Sequence, residues 1–363
     1  MGNNIKILAI DTSCDETAAA VTEKNRVLSN IIWSQASMHA KWGGVYPSLA
    51  KRAHQERIDW VINKALGTSH QSLVTDVDAI AVTVGPGLAI ALEVGINYAK
   101  ELSKKYNKPL ITVNHVEGHL LSPLTSSNTK DQRLKTNVFP SLAFVASGST
   151  TQLILVKKIG DYKILATTVD DALGEALDKA ARMLGLGYPG GAVLEKMARL
   201  AAKRARDGSP NSYPLPIPMM GKEDRLQFSY SGLKTAMYKL VESQKPLNSD
   251  EIENLSETFQ DRAFQHAEKL IKKILNKYSI RELYFGGGVS ANINLRKRIR
   301  KICKQNNIKL RLPYSKKLCT DNAVMIGVAA FYKFKRNIFL KPEQTVLVER
   351  FPRAKVDEKF PWE

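Results

Sequence analysis

A chain of 363 residues, 44% hydrophobic and 25% charged, is too long for one ordinary core and too evenly mixed for a disordered or fibrous protein, so two globular domains are expected. No apolar run is long enough to span a bilayer, the first residues carry neither secretory nor transit features, and three scattered cysteines make neither a disulfide framework nor a thiolate zinc site; the chain reads as cytoplasmic. Its 54 Lys and Arg against 35 Asp and Glu leave a formal charge of +19, which points to a polyanionic partner such as a nucleic acid.

Residues 6–11 form an apolar run closed by Asp11, the pattern of a buried strand. A small polar turn, Thr12-Ser13-Cys14-Asp15-Glu16-Thr17, leads into residues 18–22 and 26–33, two more strands of a meander. A segment of helical period covers 49–66, and strands follow over 79–84 and 110–114. Next comes His115-Val116-Glu117-Gly118-His119, which holds two of the chain's six histidines. On a helix, residues i and i+4 share a face. Two imidazoles so placed can grip one metal ion if a third ligand arrives from elsewhere; the same spacing also suits a pair of ordinary hydrogen-bonded histidines. A metalloprotease is excluded. That motif places glutamate directly after the first histidine, whereas Glu117 is two residues on, turned roughly 200° away on a helix.

The second half repeats the opening. A strand over 141–146, the polar turn Ser147-Gly148-Ser149-Thr150-Thr151, and strands over 152–157 and 162–167 give the same meander with little residue identity. Helical segments over 173–184 and 252–278 and a strand over 282–285 complete the copy. A duplicated meander with small turns is how actin-like phosphotransferases hold a nucleotide between two lobes, each turn offering N–H groups to phosphate oxygens. Asp170 and Asp171 read as the cap of a helix that carries Glu175 and Asp178 on one face and exits through a glycine-rich loop over 185–191. Residues 214–218 are stiff and extended, and Ser231 reads as the cap of a further helix. After the third strand, Gly286-Gly287-Gly288 allows close approach by a flat ligand, and Asn292 would cap the next helix or bond a ribose hydroxyl. That helix crowds Arg296, Lys297, Arg298, Arg300, Lys301 and Lys304 into a mostly basic surface. Further clusters over 203–206, 333–336 and 350–355 suit a partner that drapes over the surface, such as a folded RNA.

In this order the segments resemble the tRNA threonylcarbamoyladenosine transferases, formerly misnamed sialoglycoprotein endopeptidases, and the bacterial branch in particular. The similarity runs end to end. It takes in Ile10-Asp11-Thr12-Ser13-Cys14-Asp15-Glu16-Thr17, then His39 with Gly43-Gly44-Val45, Pro47, Arg52 and His54, then Gly85-Pro86-Gly87 and the histidine pentad. It continues through Glu175 with Asp178, Tyr188-Pro189-Gly190-Gly191, residues 228–235, Gly287 to Asn292, and Leu318-Cys319-Thr320-Asp321-Asn322. The resemblance implies an α/β, actin-like (ribonuclease H-like) ATPase fold with two duplicated lobes, 1–125 and 126–320, and a C-terminal helix and tail, 321–363, returning to the first. It implies a metal held by His115, His119 and Asp321, Fe(II) before Zn, since two imidazoles and a carboxylate with open positions suit either. Substrate contacts carried over fall on Val145, Ala146, Ser147, Gly148, Ser149, Asp178, Gly191 and Asn292, with Asp11 on the phosphate side.

The implied reaction moves a threonylcarbamoyl group from its AMP anhydride to the N6 amine of the adenosine beside the anticodon, in tRNAs reading codons that begin with adenine. ATP or ADP is a further occupant of the cleft, and the implied partners are tRNA, a shorter actin-like paralogue and a P-loop ATPase. Two departures stand out: Ser149 and Thr150 replace the Gly and His (or Asn) usual in the family's turn, and Ser48 replaces an acidic residue. The rivals on the same fold are a small-acid or sugar kinase, which needs neither the histidine pair nor the charge, and a non-catalytic partner subunit.

Overall fold

The computed structural model describes residues 4–67, 75–127, 138–204 and 213–363. Two mixed sheets carry the same strand order. The first runs β3 (Arg26–Ser34), β2 (Glu16–Glu23), β1 (Lys6–Asp11), β4 (Ala79–Gly85) and β5 (Leu110–Asn114). In the second, β8 (Asp161–Thr168), β7 (Thr151–Lys158), β6 (Ser141–Ala146), β10 (Glu282–Gly286) and β11 (Lys309–Arg311) repeat it, and β9 (Gln227–Phe228) adds an outer edge. In both, the second strand of the meander is antiparallel and the later strands join in parallel. The central parallel strands are buried along their whole length, which is why they read as unbroken apolar runs.

Alternation along the strands sorts the core into three layers. Leu8 and Ile10 face α2 (Pro47–Leu66) and α3 (Ala89–Tyr106) through Ile58, Val61, Leu92 and Ile96. On the second sheet, Leu142 and Phe144 face α5 (Leu173–Met183), α6 (Gly190–Arg204), α7 (Ser231–Gln244), α8 (Ser249–Lys277) and α9 (Ile293–Gln305). A short helix, α1 (Ala36–His39), precedes α2. Between the sheets, Ile7 and Ala9 from one side and Ala143 and Val145 from the other close on α4 (His115–Leu121) and α10 (Ala323–Phe334). The tail then binds the first sheet: at edge strand β5, Leu110 and Leu340 exchange backbone hydrogen bonds of 2.8 Å, and at the end of β4, Phe351 N–H donates to Val84 O at 2.7 Å.

A buried polar knot holds α4 in this middle layer. Tyr162 Oη donates to Glu117 Oε1 at 2.9 Å, and Lys333 Nζ lies 4.0 Å from Glu117 Oε2 while donating to Thr112 O at 2.9 Å and to Glu363. Glu117 thus points away from the histidines beside it. Two helix starts differ from expectation. Helix α5 begins at Leu173 without a side-chain cap; Asp170 instead accepts from Tyr230 N–H at 2.7 Å, and Asp171 pairs with Lys179 and Lys234. Ser231 is the first residue of α7, after an N-cap Tyr230 with no side-chain cap, because Asp170 already serves that terminus from the neighbouring element. No helix among the described residues is long and apolar enough to cross a membrane.

Candidate metal centre and interlobe cleft

Asn114, the last residue of β5, accepts from the backbone N–H groups of Val116 and Glu117 at 2.9 and 3.3 Å, starting α4 at His115. His115 and His119 then lie one turn apart with ring centroids 4.7 Å apart, edge to face. The helix sits unusually close to its neighbours. A Cβ on Gly118 would approach Ile326 Cδ1 of α10 to 2.9 Å, and one on Gly286 would approach His119 O to 2.0 Å. The late carboxylate is placed by the same device: Asn322 caps α10 by accepting from Met325 N–H at 3.2 Å, leaving Asp321 just outside the helix.

Asp321 Oδ1 lies 3.0 Å from His119 Nε2 and 3.5 Å from His115 Nε2. One ligand atom from each of these three residues falls within 4.8 Å of the others. A metal with bonds of about 2.1 Å separates its ligands by about 3.0–3.4 Å, close to both carboxylate–imidazole separations, so the group is a candidate for a divalent ion. On its far side, His115 Nδ1 lies 3.0 Å from Ser13 Oγ and 3.4 Å from Asp11 Oδ2, the outer support that ligating imidazoles commonly have. Burial disfavours an imidazolium at His115, but Asp321 and Asp11 outweigh it and raise its pKa. Burial likewise opposes ionisation of Asp321, yet His115 and then His119 hold its carboxyl far below the usual range. Asp11 Oδ2 and His119 Nδ1 are buried without a hydrogen-bond partner. Two imidazoles facing one carboxylate at the cleft floor, with a second carboxylate behind His115, are matched to a cation.

This centre forms part of the floor of a cleft of about 690 Å³ between the lobes. Of the residues carried over from the resemblance, Ser147, Gly148, Ser149 and Asp178 line it, together with His115 and Asp321. Val145 and Ala146 are fully buried in β6 behind the turn. Gly191 does not line the cleft; its N–H donates to Asp178 Oδ1 at 2.7 Å and so aims that carboxylate. Asn292 caps α9 through Leu295 N–H at 3.0 Å and donates to Gln260 at 2.8 Å, so its amide is engaged away from the cleft. Asp11 is buried behind His115 and lies outside the cleft lining.

The altered turn is unstrained, since Ser149 is not among the residues with positive φ. The turn closes on itself, Ser147 N–H donating to Thr150 O at 2.8 Å and Thr150 N–H to Ser147 Oγ at 3.1 Å. The need for positive φ falls on Gly287, at +86°, where a Cβ would lie 2.3 Å from Ala146 O. That glycine serves packing between β10 and β6, and of the three only Gly288 lines the cleft.

Cys14, Asp15, Glu16, Lys179, Arg182 and Tyr188 also line the cleft and were not singled out from sequence as site residues. Helical spacing would have found two of them, because 175, 178, 179 and 182 share one face of α5. Glu16 is raised well above the ordinary glutamate range by burial, then by Asp321 and Asp15. Burial also raises the Cys14 thiol, keeping it neutral. Arg182 donates to Gly43 O, tying the second lobe to the first across the cleft mouth.

Two sheets sharing one five-strand order, the second extended by β9, on either side of a cleft define a two-lobed protein of the actin-like ATPase fold. Solved structures of that fold include a HypF from T. kodakarensis (TM-score 0.56, 12% identity, 94% of this chain and 49% of that one). Another is component A of the (R)-2-hydroxyglutaryl-CoA dehydratase of Acidaminococcus fermentans (TM-score 0.51, 12% identity, 91% and 98%). Within the class, the chain belongs to the tRNA N6-adenosine threonylcarbamoyltransferase family, whose model matches residues 26–328. Relatives carrying that name include one from Bartonella tribocorum, 41% identical over 98% of this chain and 96% of its own. One from Staphylococcus aureus strain Newman is 41% identical over 93% and 94%.

Proposed function

We propose that this chain transfers a threonylcarbamoyl group from threonylcarbamoyl-AMP to the N6 amine of the adenosine beside the anticodon, in the cytoplasm. The observation that carries this reading is the convergence of His115, His119 and Asp321 at the cleft of a chain in this family. An adenine amine is a weak nucleophile, its lone pair being shared with the ring, so the carbamoyl carbon must arrive activated. The new N–C bond forms as the C–O bond to the phosphate breaks and AMP leaves. His115, His119 and Asp321 would hold a divalent ion, Fe(II) in preference to Zn, which when bound would supply Lewis acidity. The backbone N–H groups of Gly148 and Ser149, at the exposed tip of the turn, suit the adenylate phosphate and equally ATP or ADP. Glu16, which lines the cleft with Asp321, is placed to take the proton that the amine loses. Asp178, fixed by the Gly191 N–H, and Lys179 orient the donor from the facing lobe. Kinship with the family supports tRNA as acceptor and work alongside a shorter actin-like paralogue and a P-loop ATPase.

Purified chain, threonylcarbamoyl-AMP and unmodified tRNA, with those partner proteins added, should yield threonylcarbamoyladenosine on nucleoside mass analysis. His115→Ala and Asp321→Ala should each stay folded and lose both bound metal and product. Full metal occupancy in both variants would remove the metal assignment. A wild-type chain that makes no product with all partners present would remove the reaction.

A further inference from the structure

The loop between α1 and α2 has features that the reaction as proposed does not use. Its two ends are pinned by one buried histidine: His39 Nε2 lies 3.0 Å from Gln35 Oε1, and Tyr46 N–H donates to His39 Nδ1 at 3.3 Å. Its middle, Gly43, Gly44 and Val45, lines the active cleft and is tied to the opposite lobe through Arg182. On either side of that middle stand Trp42 and Tyr46, 57% and 50% exposed. Their rings are stacked, 5.4 Å between centroids and 25° between planes, and Lys41 Nζ lies 5.4 Å from the Trp42 centroid. Lys41 has no carboxylate partner among the described residues.

Two large rings left in water on a well-anchored loop forgo burial that the core rewards. What they present is a pair of stacked aromatic faces with the Lys41 ammonium beside them at the rim of a cleft. Unpaired bases are held in this way, by stacking on aromatic faces with a basic group on the neighbouring phosphate. An RNA whose acceptor base reaches the cleft must bring the flanking nucleotide to its rim.

We propose that Trp42 and Tyr46 stack an unpaired base flanking the acceptor adenosine, with Lys41 on the adjoining phosphate. This rests on the transferase reading above. It is tested with the full chain and its partner proteins by measuring KM for tRNA and for threonylcarbamoyl-AMP separately. Trp42→Ala and Tyr46→Ala should raise KM for tRNA roughly 5- to 150-fold, the range for loss of one base stack, and leave KM for the donor unchanged. Trp42→Phe, which keeps a ring, should recover most of the loss. A tRNA with an abasic sugar next to the acceptor should impose the same loss on wild type and little further loss on Trp42→Ala.

Unchanged KM for tRNA in the alanine variants overturns the platform and leaves the transferase reading intact. So do losses from Trp42→Ala and the abasic site that multiply independently, or alanine variants whose only defect is binding to a partner protein. A wild-type chain inactive on every tRNA overturns both.

Discussion

Gly286→Ala is the sharpest test of how the candidate centre is held. The added methyl would lie 2.0 Å from His119 O and 3.2 Å from Ser122 Oγ. Ordinary carbon–oxygen contact needs more than about 3 Å, so strand and helix must part by more than about 1 Å. Neither side yields cheaply. Gly286 is paired in register with Val145 in the second sheet, and α4 is pressed from its other side against Ile326 and Met325. Overpacking of this kind costs about 1–3 kcal/mol, or roughly 1–2 °C in Tm for each kcal/mol in a chain of 363 residues. Function should suffer more than stability, because the displaced atom belongs to His119, and a 1 Å misplacement of a catalytic group can cost about 100-fold. Gly118→Ala is the graded comparison: its methyl would meet Ile326 Cδ1 at 2.9 Å and Met325 Cγ at 3.1 Å, mobile side-chain atoms rather than a backbone carbonyl. The assays are thermal melting, metal titration and tRNA modification on both variants. Wild-type metal affinity and activity in Gly286→Ala, or a larger loss in Gly118→Ala, would refute this account of the centre.

Three further outcomes are expected. Replacing exposed Lys297, Arg300, Lys301 and Lys304 of α9 by Gln should weaken tRNA binding and lower the slope of log affinity against log salt by roughly 3, from the loss per phosphate contact; an unchanged slope would place the RNA elsewhere. Lys333→Met leaves Glu117 buried without its cation and Thr112 O without its donor, which should cost about 3–5 kcal/mol in denaturant melts, with part regained by Glu117→Gln; a loss below about 1 kcal/mol would show that the knot is not coupled. Burial pushes His266, wedged between Phe228 and Tyr230, down to about 4. Between the unfolded value of about 6.5 and that value the unfolded chain binds the extra proton, so stability is full above the window and falls as pH drops through it, by at most about 1.4 kcal/mol per unit. His266→Gln should flatten the melting profile between pH 7 and pH 5, and an unaltered profile would exclude His266 as its source.

The architecture was legible where one physical constraint acts on neighbours in the chain. Residues 6–11 and 141–146 are unbroken apolar runs, as strands buried on both faces must be, and the repeated order of strand, polar turn and two further strands revealed the duplication. Strand pairing across the sheet edge left no such mark: β9 is two residues long and β11 three, too short for any period to emerge. Polar residues were misjudged wherever a helix terminus had a partner distant in sequence. Asp170 and Ser231 each look like local caps, but Asp170 serves the start of α7 60 residues on, and that choice depends on tertiary packing. The same holds for charge. Arg296 and Arg298 belong to a basic run, yet Arg296 turns in to Ser290 and Cys319 and Arg298 to Asp261 and Glu268. Only the i, i+3/i+4, i+7 stripe of Lys297, Arg300, Lys301 and Lys304 is left for a partner. Asp321 is the instructive case. Its 202-residue separation from His119 makes it invisible to any spacing argument, and its place was supplied by family resemblance alone. The physical reason it arrives there is that α10, the most apolar helix among the described residues, must be buried between the two sheets, and burying it carries the residue just before its cap to the histidines.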